Sequence, residues 1–446
     1  MKNIIKKITM LAWACSILVM AYSCSIDKVQ DPDGPSVSGV QANASKGQLN
    51  ELVVGIESTT RNGLGVEVTA SGSMARELYL FDADPRNTGD VLGKDGIALD
   101  NNSFYSTQQW NGNYRATKNA NLLIEAASNT EFVSETESNG YIGFAKTMKA
   151  YELIQVLKSY NKARLDVADP DNLGPILEFD DALSQIRALL DEAQGNLSSA
   201  GGSFAFPLSS GFSGFDTPAT FTQFNRAVAA LAAVYAGDGT SALTALTGSY
   251  FDINGALDLG PVHIFGLGGG DQANPVFRVP STPENINNGD QIIVHDSWIN
   301  EAEAGDMRVA TKAAPRLPLS DPSSQDGLTG THETRLYATN VSPIQILRNE
   351  ELILLYAEAS IFASNLQDAE DALNTIRTSA ALPNYSGAQT ADALTTELLN
   401  QRRYSLWSEN HRMFDLRRYG LSSTLPIDRP GDVIYNVLPV PLSENE

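Results

Sequence analysis

Apolar residues recur at three- and four-residue steps through most of the chain. Leu49, Leu52, Val53 and Ile56 fall on one helix face. The same spacing predicts helices over 114–127, 141–160 and 179–190, the last carried by Leu183, Ile186, Leu189 and Leu190. Phe221, Phe224, Val228, Leu231, Val234 and Tyr235 predict another. Leu352, Leu355, Tyr356 and Ala359 lead into a partner helix with Ala369, Leu373 and Ile376. The pattern breaks twice. Residues 81–113 are dominated by Asn, Asp, Gly, Ser and Gln. Residues 250–345 hold Gly266, Gly268, Gly269, Gly270, several prolines and short runs such as Gln291-Ile292-Ile293-Val294. Loops with a few short strands are expected in both.

The predicted helices come in pairs joined by short polar turns, and Ala357, Ala359, Ala369 and Ala372 stand where two helices would touch. The expected fold is mainly α, with tetratricopeptide-like helix pairs that must stack to bury their apolar faces. An irregular helical bundle satisfies the same periodicity. Long loop-rich insertions on a rigid helical frame are where binding surfaces sit.

The first residues do not fit this scheme. Lys2, Lys6 and Lys7 precede an apolar run over 8–20, followed by Ala21-Tyr22-Ser23 and then Cys24. A charged start, a short apolar core and small residues at a cut make a signal peptide, and the run is too short to span a membrane. A cysteine at the cut is the pattern of a bacterial lipoprotein, so Cys24 is the expected lipidation site; an ordinary signal peptide with an incidental thiol is the alternative. The expected organisation is a signal peptide over 1–23, a flexible tether over 24–45 and one domain over 46–446. The tether is rich in Ser, Asp, Pro, Gly and Asn and would span about 20–30 Å as a coil. Cys15 leaves with the signal, so the exported chain has no disulfide and no cysteine metal site.

A net charge of -22 argues against nucleic acid and against binding an anionic bilayer through the folded body. Membrane attachment then falls to the lipid. Motifs for catalysis are missing. There are four histidines and no His-Glu-x-x-His run. His295, Asp296 and Ser297 are consecutive and point apart. Residues 211–215 lack the last glycine of a nucleophile elbow, and 266–271 lack that of a dinucleotide fingerprint. The run from Asp169 begins like a calcium loop and fails at its fifth position, Leu173. No catalytic residue, cofactor or metal is predicted. Aromatics in the irregular regions are the ligand candidates: Trp110, Trp298, Tyr105 and Tyr337. Flat aromatic faces pair with the C–H faces of sugars, though each could instead plug a loop onto the core.

The last hundred residues carry specific blocks. Arg-Asn-Glu-Glu-Leu-Ile-Leu-Leu-Tyr-Ala-Glu-Ala runs from Arg348 to Ala359, and Ala-Glu-Asp-Ala-Leu-Asn-Thr-Ile-Arg from Ala369 to Arg377. A third block runs from Gln401-Arg402-Arg403 through Glu409-Asn410-His411-Arg412-Met413-Phe414-Asp415-Leu416-Arg417-Arg418, and Leu438-Pro439-Val440-Pro441 closes the series. In this order the blocks resemble the SusD/RagB family of outer-membrane nutrient-uptake lipoproteins. Gln401 replaces the family's acid, Asn410 its glycine and Met413 its tryptophan. Asn410 can take the left-handed conformation glycine would supply. The charged run reads as scaffold: Asp415 suits a bidentate arginine, His411 is structural and Trp407 belongs to packing.

The resemblance implies helix pairs on one side and loops on the other. It implies a protein that holds an oligosaccharide or other nutrient without transforming it. It also implies a lid on a TonB-dependent outer-membrane transporter, with the helical side facing the barrel. Asp27, Asp31 and Asp33 after Cys24 fit the export signal of surface-exposed lipoproteins of the family, placing the protein on the outer face. An anchored glycan-degrading hydrolase and a structural surface lipoprotein without ligand are the alternatives.

Overall fold

The computed structural model describes residues 37–169, 171–286, 289–317 and 323–444. The leader, Cys24 and the first part of the expected tether lie outside the described residues. The packed body begins earlier than the composition suggests. Helix α1 (Val37–Asn43) buries Val40, and Asn43 Oδ1 accepts bonds from Thr130 Oγ1 at 3.2 Å and Glu131 N at 3.1 Å. Residues 37–45 therefore belong to the body rather than the tether.

Helix α2 (Lys46–Thr59) starts at a reciprocal capping box between Ser45 and Gln48. Helix α3 (Leu64–Met74) leads to strand β1 (Leu78–Phe81). Helix α4 (Phe104–Asn129) is longer than its apolar period predicts. Its first turns bury polar side chains, Ser106 and Gln109, which are 0% exposed and bonded to backbone carbonyls. Their polarity disguised a buried helix face as a loop. Gly112 lets α4 touch the turn between α2 and α3, since a Cβ there would collide with the Asn62 carbonyl.

The chain continues through α5 (Glu135–Tyr160), strands β2 (Lys162–Arg164) and β3 (Ile176–Glu178), α6 (Phe179–Ser198), α7 (Pro218–Tyr235) and α8 (Gly239–Thr247). Each of α4 to α8 packs on its neighbour in the chain. This is the stacked helical layer that the periodicity predicts, and α5 and α7 open with further capping boxes.

The second loop-rich insertion folds into β4 (Val262–His263), β5 (Gln291–Val294), α9 (Asp296–Asn300), α10 (Met307–Lys312), β6 (Ala313–Pro315), β7 (Ser323–Gln325), β8 (Leu328–Gly330), β9 (His332–Thr334) and β10 (Ile344–Gln345). A four-stranded antiparallel sheet has the order β1-β5-β9-β6, with Leu78 opposite Val294 and Phe81 opposite Gln291. Beneath it lies a compact cluster of Leu78, Ile292, Val294, Trp298, Tyr404 and Trp407.

Helices α11 (Asn349–Phe362), α12 (Leu366–Ser379), α13 (Ala391–Ser405) and α14 (Arg412–Arg418) complete the body. Here the charged C-terminal block is a buried ionic frame. Arg402 Nε donates to Asp415 Oδ2 at 2.7 Å and Nη2 to Oδ1 at 3.2 Å. Arg418 Nη1 donates to Glu358 Oε1 at 2.8 Å. Arg348 bridges Glu350 at 2.8 Å and Glu409. Asn410 adopts φ +57° and its Nδ2 donates to Glu67 Oε1 at 2.6 Å. Burial, reinforced by Lys158 and Arg402, holds the His411 imidazole far below its usual range, so it is neutral. Asp415, Asn410, His411 and Trp407 thus all serve as the sequence suggests. Among the described residues no helix is long and apolar enough to cross a membrane.

Candidate functional site

Trp110 lies inside the molecule. It is 1% exposed on α4, with its ring 4.6 Å from that of Tyr114 and 4.9 Å from that of Tyr160. Tyr105 is buried one turn earlier; its hydroxyl donates to Asp90 at 2.9 Å and accepts from the Asp100 amide at 2.7 Å. Trp298 is 0% exposed on α9, tilted against Tyr404 and Trp407, and its Nε1 donates to the Arg403 carbonyl at 3.2 Å. Tyr337 is half-buried beside the same cluster, and burial pushes its hydroxyl pKa up. The buried rings of Trp110, Tyr105 and Trp298 present no platform to a ligand. The premise of loop placement fails for Tyr105, Trp110 and Trp298, which are helical, and large aromatics follow their usual bias toward burial.

Among the described residues, two hollows lie near the loops. The first is a cavity of about 40 Å³ lined by Glu67, Lys158, Arg348, Glu351 and His411 among others. It has room for a few waters and no sugar ring. The second is an open hollow of about 430 Å³ on the loop-rich side, which is within the range of small-ligand sites. The end of β1 supplies Phe81, Asp82 and Ala83; the start of β5 supplies Gly289, Asp290 and Gln291; β7 supplies Ser323, Ser324 and Gln325; and Arg316 follows β6.

The walls are fixed by their own bonds. Gln325 Nε2 donates to the Asp82 carbonyl at 2.9 Å, and Ser323 Oγ donates to Gln291 Oε1 at 2.7 Å. Asp82 is oriented by Asn87 Nδ2, which donates to its Oδ2 at 2.8 Å, and by the Asp84 amide at 3.0 Å. Arg316 is held by Glu333 at 3.3 Å and donates to the Ile286 carbonyl. Nearby, burial lowers the Arg278 pKa while Asp290 and Asp82 act to raise it. The β7–β8 turn has φ +53° at Asp326 and +79° at Gly327, as expected for Asp-Gly in a two-residue hairpin. The Asp326 carboxylate is clamped by Lys94 and by Arg429 at 2.7 Å.

The lining thus mixes carboxylate, amide, hydroxyl and guanidinium groups. Sugar hydroxyls both donate and accept, so this donor and acceptor mix suits a polyhydroxylated ligand. Residue-by-residue reasoning passed over Asp82, Asp290, Gln291 and 323–325. The Gln291–Val294 strand and the Asp326-Gly327 hairpin signal were the legible pointers to them.

The chain is thus a stacked helical layer carrying a loop-built face with a polar hollow. The chain resembles the SusD/RagB family: the model of the SusD family matches residues 318–435. Solved structures share the fold across most of the chain. A SusD superfamily protein from Parabacteroides distasonis has a TM-score of 0.68 at 17% identity, covering 90% of this chain and 97% of that one. Surface glycan-binding protein A from Bacteroides thetaiotaomicron, in complex with laminarihexaose, has a TM-score of 0.66 at 15% identity, covering 90% and 97%. NanU of B. fragilis has a TM-score of 0.64 at 17% identity, covering 93% and 97%. No curated protein sequence matches the chain.

Proposed function

We propose that this protein captures an oligosaccharide in the hollow between β1, β5 and β7 and releases it unchanged. The observation that carries this reading is the fixed polar lining of that hollow on a SusD-like frame. The glycan-bound relative supports the ligand class. Cys24 would anchor the protein to the outer membrane, facing outward, and a TonB-dependent transporter would receive the ligand beneath it as beneath a lid.

Binding of laminarihexaose and a panel of other oligosaccharides, measured by titration calorimetry, tests the capture step. At least one glycan is expected to bind, and Gln291→Ala with Asp82→Asn should weaken it by about tenfold or more through lost hydrogen bonds. Trp110→Phe should leave affinity unchanged. Release of reducing sugar by the purified protein would establish the hydrolase alternative instead.

A further inference from the structure

Beside the ionic frame, a second open groove of about 430 Å³ is formed where helices end. It is lined by Asn161 after α5, Tyr235 to Gly237 at the end of α7, Phe362 at the end of α11, Phe179 opening α6, Phe414, Arg417 and Arg418 on α14, and Tyr419 after it. Tyr235 and Phe414 form its buried aromatic floor, their rings 4.5 Å apart. Phe362 stands at its edge, 38% exposed.

The two arginines differ. Arg418 is spoken for, by Glu358 at 2.8 Å and Asp415 at 3.2 Å. Arg417 donates only to backbone: Nη1 to the Asn436 carbonyl at 2.8 Å, and Nη2 to those of Leu157 and Lys158, both at 3.0 Å. Among the described residues no carboxylate reaches it within ion-pair distance. Three of its five N–H donors are used, which leaves two. Its guanidinium stands 5.1 Å from the Phe414 ring centre. Burial and the neighbouring Arg418 lower its pKa to about 10. The groove thus joins aromatic rings to a cation that has no ion pair.

We infer that this groove docks a segment of a partner polypeptide that presents a carboxylate beside an apolar side chain, the carboxylate on Arg417 and the apolar group between Phe362, Phe179 and the Tyr235–Phe414 floor. Open grooves lined by Tyr, Phe and Arg have the composition of interface hot spots, and a charge-assisted bond to arginine supplies orientation. The inference concerns a surface separate from the β1–β5–β7 hollow and does not depend on glycan capture.

The test uses the whole folded protein and two synthetic probes, acetyl-Leu-Phe-Asp-amide and acetyl-Leu-Phe-Asn-amide, with 3-phenylpropionate as a free carboxylate. The Asp peptide should bind about tenfold more tightly than the Asn peptide, as one charge-assisted bond supplies. Arg417→Gln should abolish that difference, and Phe362→Ser should weaken both peptides. Absence of peptide binding, equal binding of the two, or full affinity from 3-phenylpropionate alone would overturn the proposal. Should Arg417→Gln fail to fold, the peptide pair and the exposed Phe362→Ser variant still decide it.

Discussion

Replacing Arg402 by methionine is expected to lower the unfolding free energy by about 3–5 kcal/mol, the usual cost of stranding one partner of a buried ion pair. Arg402 is 2% exposed and Asp415 equally so, and the two share a bidentate contact at 2.7 and 3.2 Å. The arginine also donates to His411 Nδ1 at 3.4 Å, so its loss leaves a neutral imidazole and a carboxylate facing each other without a bridge. Arg418 retains one contact to Asp415 and cannot replace the other. The comparison is Lys162→Met, whose pair with Glu178 is 44% and 69% exposed and should cost less than about 1 kcal/mol. Urea unfolding of the two variants separates these cases. Equal midpoints would show that the C-terminal block does not hold the body together.

The second large effect is on pH. Burial raises the Glu77 carboxyl from 4.5 to about 8, against the pull of Arg412, and raises Glu351 to about 7 against that of Lys158. Over the interval between those values and 4.5, the native chain holds protons that the unfolded chain has released. The stability these two carboxyls contribute therefore falls as pH rises from about 4.5 and is lost above about pH 8, opposed below about pH 6.5 by His411 and His263, which burial keeps neutral in the folded chain. A carboxyl whose folded pKa stands tenfold in acidity from its unfolded one changes stability by about 1.4 kcal/mol, so the two together amount to several kcal/mol. Burial raises Glu67 and Glu152 as well, adding in the same direction. Asp238, held at about 2 chiefly by Ser241, works on the acid limb, where its contribution is lost as pH drops below about 4. Melting temperatures should decline from pH 5.5 to 8.5. Glu77→Gln should be more stable than the parent at pH 8.5 and similar to it at pH 5.5. Parallel profiles for the two proteins would refute the account.

The sequence disclosed the frame better than the site, for identifiable reasons. Leu183, Ile186 and Leu190 on α6, or Phe221, Phe224, Val228 and Leu231 on α7, are buried apolar residues whose spacing alone implies a helix. The start of α4 escaped because Ser106 and Gln109 are buried through bonds to backbone carbonyls, which polarity counts cannot anticipate. Val37 to Asn43 read as tether because one buried valine and side-chain bonds to 129–131 hold them. Asp415 and Asn410 were legible since their roles follow from local chemistry, a carboxylate near arginines and an amide able to take positive φ. The hollow was not, because it is assembled from residues near 82, 290, 316 and 324 that only the β1-β5-β9-β6 sheet and the β7–β8 hairpin bring together. Trp110 and Trp298 drew attention by type, whereas their positions place them in the core.

The central claim is that a glycan sits in the β1–β5–β7 hollow and leaves intact. A crystal structure of the protein soaked with the oligosaccharide that binds best in calorimetry tests it most directly. The account predicts an uncleaved ligand bonded to Asp82, Gln291 or the 323–325 strand. A glycan bound elsewhere with that hollow empty, or cleaved sugar in any site, would contradict it.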